Sequence, residues 1–291
     1  MKISWLALMC AAVVASFAYS STAQTTGATV IAVSRIDAMF GGGIGVGGVE
    51  QPGQINLEIL AYVSADGEWE GHPCAQNYSK ACEKFAHDYL GKSHNYTVIS
   101  PDGNGANVIS KPTTLSECFD YSTTDSYTGA EIRATAIATD SPDLFSSGQP
   151  ATHLPEQEAK VVLRQLKPLI PARLDSIEKL RTYRVQLEGR DFIVIQRALQ
   201  DFSRESRSGT GPEALKFIFG VVAFENGRLQ IVHWKKNIED ENEQVLATIH
   251  LKSGRDFLVT TVSDPEGQTF HIYGIRDGKL ALIYSGGGSS C

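Results

Sequence analysis

Gly189-Arg190-Asp191-Phe192-Ile193-Val194 returns as Gly254-Arg255-Asp256-Phe257-Leu258-Val259. Downstream of the first copy lies Asn226-Gly227-Arg228-Leu229-Gln230-Ile231-Val232, answered after the second by Asp277-Gly278-Lys279-Leu280-Ala281-Leu282-Ile283. The offsets are 254 − 189 = 65 and 277 − 226 = 51, so the first unit carries 14 extra residues between its landmarks. Self-similarity of this kind marks a supersecondary unit used twice, each copy burying its apolar face against a neighbour.

The residues around these landmarks read as strands. The first unit offers Leu180–Leu187, Phe192–Arg197, Leu215–Phe224 and Leu229–Trp234. The second offers Val245–Leu251, Phe257–Val262, Thr269–Ile275 and Leu280–Tyr284. Glu188-Gly189, Asn226-Gly227, Ser253-Gly254, Pro265-Glu266-Gly267 and Asp277-Gly278 connect them as hairpin turns in which Gly or Asn takes φ > 0. The extra residues of the first unit fall in Ser203–Pro212, which is polar and glycine-containing. A tandem pair of four-stranded antiparallel meanders is therefore expected over 173–291. Two propeller-blade-like sheets, one eight-stranded barrel and a two-sheet sandwich all obey the same pattern.

Upstream, Val30–Val33, Ile55–Val63, Tyr96–Ser100, Asn107–Ser110 and Glu131–Thr139 read as strands of an N-terminal β-rich domain over 24–145. Its one helix carries Tyr78, Cys82, Phe85 and Tyr89 at helical spacing and stops at Gly91. Ser146–Thr152 reads as a linker, and Pro155-Glu156-Gln157-Glu158 opens a second helix with a buried stripe of Ala159, Val162, Leu163 and Leu166. Linker and helix together occupy 146–172. The fold expected is mainly β with one or two helices.

Residues 1–23 stand apart. Lys2 precedes the uninterrupted apolar run Trp5–Ala15, and small residues at Ser16/Ala18 and Ser21/Ala23 offer two cleavage sites. That is the build of a secretory signal peptide, leaving a mature N-terminus at Tyr19 or Gln24. Cys10 does not suggest a lipid anchor, because bulky Leu8 and Met9 precede it. No second apolar stretch reaches roughly 18 residues, so no membrane span is expected and the chain reads as secreted or periplasmic.

Loss of Lys2 changes 26 basic residues to 25 against 33 acidic ones, a charge of 25 − 33 = −8. Without a Lys/Arg cluster, such a chain repels phosphate backbones, which excludes nucleic acid as the expected partner. The acidic run Glu239-Asp240-Glu241-Asn242-Glu243 reads as a solvated loop between the two units.

Four cysteines remain in the mature chain: Cys74, Cys82, Cys118 and Cys291. In an oxidising compartment they imply two disulfides. A helix beginning near Ala75 would hold Cys74 and Cys82 about 12 Å apart, beyond the roughly 7 Å a disulfide spans. Cys82 is then expected to pair with Cys118, leaving Cys74 for Cys291. A helix that starts only at Ser79 would instead permit Cys74–Cys82.

The remaining motifs favour plain readings. Gly43-Ile44-Gly45-Val46-Gly47-Gly48 contains Gly-x-Gly-x-x-Gly, but Pro52-Gly53 follows where a phosphate-binding helix must begin. Ser176-Ile177-Glu178-Lys179 and Lys252-Ser253-Gly254 mimic elements of penicillin-interacting enzymes, yet the second is simply a turn of the repeat. His72, Cys74, Cys82, His87 and His94 have no zinc-site spacing. Asp102, Asn104 and Asn107 lack the distal carboxylate of a calcium loop, Thr113 standing there. Arg190-Asp191 and Arg255-Asp256 occur in both units and read as turn-capping charges. No catalytic, cofactor-binding or metal-binding residue is singled out. The expectation is a non-enzymatic binding or assembly module for a protein or small-molecule ligand. The rivals are a hydrolase with its site between the N-terminal domain and the repeats, and a small-ligand carrier if the eight strands close into a barrel. Trp69 and Trp234, the only tryptophans of the mature chain, offer little for stacking on sugars.

Overall fold

The computed structural model describes residues 27–35, 55–74, 79–99, 106–110, 112, 124–128, 136–147, 149–169, 180–197, 217–225, 228–237, 242–264 and 267–287. The signal peptide, Gly43–Gly48, Asp102, Asn104, Thr113, Cys118, Ser176, Lys179, Ser203–Pro212, Glu239–Glu241 and Cys291 lie outside these residues.

The chain begins with β1 (Ala28–Arg35), β2 (Ile55–Val63) and β3 (Trp69–Glu70), then helix α1 (Lys80–Phe85), which continues as a π turn over Ala86–Leu90. Next come β4 (Asn95–Val98), β5 (Asn107–Ser110), β6 (Thr124–Thr128), β7 (Ala136–Thr139), β8 (Thr152–His153) and α2 (Glu156–Leu166). Eight longer strands follow: β9 (Leu180–Leu187), β10 (Arg190–Arg197), β11 (Phe217–Glu225), β12 (Arg228–Asn237), β13 (Asn242–His250), β14 (Asp256–Asp264), β15 (Gly267–Arg276) and β16 (Lys279–Gly286).

The strands form three antiparallel sheets, ordered β3-β2-β1-β7-β4-β5-β6, β12-β11-β10-β9-β8 and β13-β14-β15-β16. Each of the two expected meanders is present as an open sheet. They do not close into one barrel, so the premise of a carrier with a barrel cavity is not met. The linker contributes more than a connection, since Thr152-His153 adds a fifth strand against β9.

Layering follows from which residues share a cluster. On β10, Phe192 and Val194 point one way and Ile193 and Ile195 the other, as strand pleating requires. Phe192 and Val194 pack with Leu258 and Tyr273 of the four-stranded sheet. Ile193 and Ile195 pack beneath Val162, Leu163 and Leu166 of α2, the stripe expected from sequence. On β14 the order recurs one layer along. Leu258 faces the five-stranded sheet, whereas Phe257 and Val259 face Val30, Leu60 and Ile137 of the N-terminal sheet. The far side of that sheet is covered by Phe85, Ala86, Tyr89 and Leu90, which lie over Tyr96, Ala136 and Ala138. The layers thus run α2, five-stranded sheet, four-stranded sheet, N-terminal sheet, α1.

The recurring residues take matching places. Phe192 and Phe257 are both buried, each opposite a small residue, Ala223 and Gly274 respectively. Gly274 is required there, because a Cβ would come within 2.9 Å of the Phe257 ring. Arg190 lies over the ring of Phe192 and Arg255 over that of Phe257, each at 5.6 Å from the centroid. The register of β11 against β12 shifts at Val221/Val222, and that of β15 against β16 at Ile272/Tyr273. These positions are 272 − 221 = 51 residues apart, the offset seen in the sequence. Glu188-Gly189 and Asp277-Gly278 turn with positive φ at both residues (49° and 75°, 52° and 70°), the backbone of a tight two-residue hairpin.

The expected disulfide pairing is corrected. Helix α1 starts at Lys80, not near Ala75, because Ser79 caps it by accepting a bond from the Cys82 amide at 3.2 Å. Cys74 and Cys82 are joined with their Cα atoms 4.6 Å apart. Cys82 is therefore not available to Cys118, nor Cys74 to Cys291.

Candidate functional site

Two places in the stack hold side chains that its packing alone does not account for. The first lies between the four- and five-stranded sheets. Glu243, in β13, is 2% exposed, although it belongs to the acidic run expected to be a solvated loop. One oxygen, Oε1, accepts bonds from the hydroxyls of Thr260 and Tyr273, both at 2.7 Å, and lies 3.2 Å from His271 Nδ1. The other, Oε2, is buried with no hydrogen-bond partner among the described residues, as is His233 Nε2. His233 approaches from β12, its ring 5.4 Å from Tyr273 and 6.0 Å from Phe219. Gln196 of β10 closes the same region by accepting from the Val245 amide at 2.7 Å, where β13 is bulged.

Electrostatics fix the charge states. Burial works to raise the Glu243 carboxyl, but the bonds from His271, Thr260 and Tyr273 outweigh it and hold it below the usual carboxylate range. Burial lowers the His233 imidazole; Glu243 opposes this shift, while Lys235 and His271 add to it. Tyr273 is pushed far up by burial and by the carboxylate it donates to. The result is an anion fastened to three strands of one sheet beneath a neutral imidazole of the next. Both hydroxyls are committed to the carboxylate, so these bonds fasten β13, β14 and β15 to one another within the four-stranded sheet.

The second place is the outer face of the five-stranded sheet. Helix α2 covers the half around Leu180, Ile195 and Ile218. Toward the end of β11 and the start of β12, Phe224 stays 57% exposed and Ile231 49% exposed. Both lie on the face that carries Val222, since Ile231 pairs with Val222 and Phe224 with Leu229. Trp234 lies on this face too, flat across Gly220, where a Cβ would be 2.3 Å from its ring. β12, ten residues long, ends the sheet.

The histidine- and cysteine-rich stretch does not converge. Cys74 and Cys82 form the disulfide, and His72 stacks on Phe85 at 5.7 Å. His87 turns to Asp88 at 2.9 Å, and His94 stacks on Tyr89 at 3.8 Å. Among the described residues no group of three His, Cys, Asp or Glu side chains is placed to hold a metal ion. Asn107 accepts from Thr97 within the sheet, and Lys252-Ser253-Gly254 forms a turn closed by Gly254 donating to Leu251. Trp69 packs edge-on against Phe257 at 5.2 Å, so both tryptophans are engaged in packing.

The Arg-Asp pairs do more than cap their own turns. Asp256 accepts from the Glu188 amide at 2.5 Å and lies 2.9 Å from His250 Nδ1. Arg255 bonds Glu188 at 3.1 Å and reaches the carbonyl of Asp66, in the Asp66-Gly67 turn of the N-terminal sheet, at 3.4 Å. Arg190 donates to the carbonyl of Gly278 in the four-stranded sheet. Each arginine thereby grips an Asp-Gly turn of the next layer. Spacing could not show this, because both contacts cross between sheets.

Comparison of the chain with protein-family models, curated proteins and solved structures finds no match. No helix among the described residues is long and apolar enough to cross a membrane.

Proposed function

We propose that this protein is an exported, non-enzymatic binding or assembly module, built from one meander unit used twice and stacked head to tail. The front of the first unit covers the back of the second, and the front of the second covers the N-terminal sheet. Such a stack has one back face with no further unit upon it, and that is the face of Phe224 and Ile231. The observation that carries the reading is the exposure of these two large apolar side chains on adjacent strands, beside an edge strand. An exposed apolar pair on a rigid sheet is the anatomy of a recognition surface. The signal peptide and the Cys74–Cys82 bond support a site of action outside the reducing cytosol.

A photoreactive amino acid placed at Ile231 in the exported protein tests the reading. A discrete cross-linked protein is expected from position 231 and not from Lys160, on the solvent side of α2. Equal yields at both positions, or none at 231, would contradict it.

A further inference from the structure

The two Asp-Gly turns that the arginines grip differ in how their own atoms are held. Arg255 reaches the carbonyl of Asp66 in Asp66-Gly67, and Arg190 donates to the carbonyl of Gly278 in Asp277-Gly278. At the first turn the Ser64 hydroxyl donates to the Asp66 carboxylate and holds it below the usual carboxylate range. The Gly67 amide donates to the Ser64 carbonyl at 3.0 Å, and Gly67 is buried. At the second turn Asp277 and Gly278 are both exposed. Neither the Asp277 carboxylate nor the Gly278 amide has a partner among the described residues. Nothing lies within 4 Å of where a Gly278 Cβ would stand.

We infer that Asp277-Gly278 is a site of spontaneous aspartate isomerisation, and that the isoaspartate formed there releases the hold of Arg190 on the four-stranded sheet. The Gly278 nitrogen attacks Cγ of Asp277 within the same turn. The new C–N bond closes a five-membered succinimide, and the amide proton leaves with the carboxyl hydroxyl as water. Water then opens the ring. Opening at Cγ restores aspartate, whereas opening at the Asp277 main-chain carbonyl routes the chain through the side chain as isoaspartate. No other reagent is consumed, and the mass is unchanged. At Gly67 the same attack must first break the bond to Ser64. The main chain gains one carbon inside a two-residue turn closed by the pair Arg276 and Lys279. That moves the Gly278 carbonyl away from Arg190, beside the contact of Ile275 and Leu280 with the cluster of Phe192 and Val194. The chain carries an internal control. Glu188-Gly189 makes the same turn, with φ of 49° and 75° against 52° and 70°, but glutamate has to close a six-membered ring, which forms far more slowly. The inference does not depend on the binding-module reading.

The mature protein is incubated at neutral pH below its melting temperature, then mapped with a protease that cuts before aspartate and not before isoaspartate. Isoaspartate is expected at 277, accumulating about threefold to tenfold faster than at 66, the factor for one protecting hydrogen bond. An isoaspartate carboxyl methyltransferase should label the peptide that contains 277. Ageing should lower the melting temperature of the unaltered chain more than that of Asp277→Glu, a residue this turn already accepts at Glu188. Should that variant not fold, Arg190→Ala takes its place, since a chain without the grip has none to lose. No isoaspartate at 277, or accumulation at 66 as fast as at 277, overturns the inference. So does an equal fall in melting temperature in the unaltered and variant chains, because Arg190 would then still hold the altered turn.

Discussion

Removing the ring of Phe192 or of Phe257 tests the packing order on which the stack depends. Both side chains are buried. Phe→Ala at such a site costs about 3–5 kcal/mol, combining lost transfer free energy with the cavity left behind. For Phe257 the upper end applies. Its edge-on contact with Trp69 at 5.2 Å contributes roughly 0.5–1.5 kcal/mol beyond area burial. The floor of its site is Gly274, which has no side chain to relax into the void. Phe192 sits over Ala223 and beneath the neighbouring sheet, so about 3–4 kcal/mol is expected there. Phe224→Ala removes the same ring from the same sheet at a 57% exposed position and should cost about 1 kcal/mol or less. Urea denaturation of the mature protein followed by tryptophan fluorescence and by far-ultraviolet circular dichroism measures all three. Coincident transitions license the free-energy comparison. If Phe192→Ala destabilises no more than Phe224→Ala, the five-stranded sheet does not present its Phe192 face to the next layer, and the stacking argument fails.

Further outcomes follow from the same geometry. Glu243→Leu should destabilise by about 3–5 kcal/mol, because it strands the Thr260, Tyr273 and His271 donors between the sheets; Glu243→Gln, which keeps an acceptor, should cost distinctly less in the same denaturation assay. Stability should fall as pH drops from 6.5 toward 4, since burial lowers His72 from 6.5 to about 4 and lowers His233 in the same direction. Each folded imidazole binds fewer protons than its unfolded counterpart in that window, so the stability present above pH 6.5 is lost on acidification. His72 alone accounts for up to about 3 kcal/mol, and His72→Phe should remove that part of the pH dependence while keeping the stack on Phe85. Non-reducing peptide mapping should recover Cys74 linked to Cys82, and reduction should cost about 2–3 kcal/mol for so short a loop; a Cys82–Cys118 peptide would refute the account of the cap. N-terminal sequencing of exported protein should begin at Tyr19 or Gln24, and a start at Met1 would remove the export reading.

The β9–β10 and β15–β16 hairpins were legible in the sequence because each turns at a glycine in the left-handed region, at Glu188-Gly189 and Asp277-Gly278. The stripe of α2 was legible for the same kind of reason, its helical period being set by one buried face. The order of the layers was not, since alternation says that a strand has two faces but not what covers each. Phe192 and Phe257 look identical in sequence and meet different sheets. Glu243 was hidden by its neighbours: the run Glu239–Glu243 has the composition of a loop, and only the pairing of Asn242 with Ser263 and Glu243 with Val262 turns its last two residues into a strand. The disulfide turned on where one helix starts, and Ser79, a good N-cap residue, was the signal that decides it.

The central claim is that the outer face of the five-stranded sheet, beyond the part that α2 covers, is an open recognition surface. Hydroxyl-radical footprinting of the isolated mature protein reads this side chain by side chain. The account predicts strong modification of Phe224 and Ile231 and protection of Phe192, Phe219, Phe257 and Phe270, which are buried. Phe224 as protected as Phe192 in the isolated protein would contradict it.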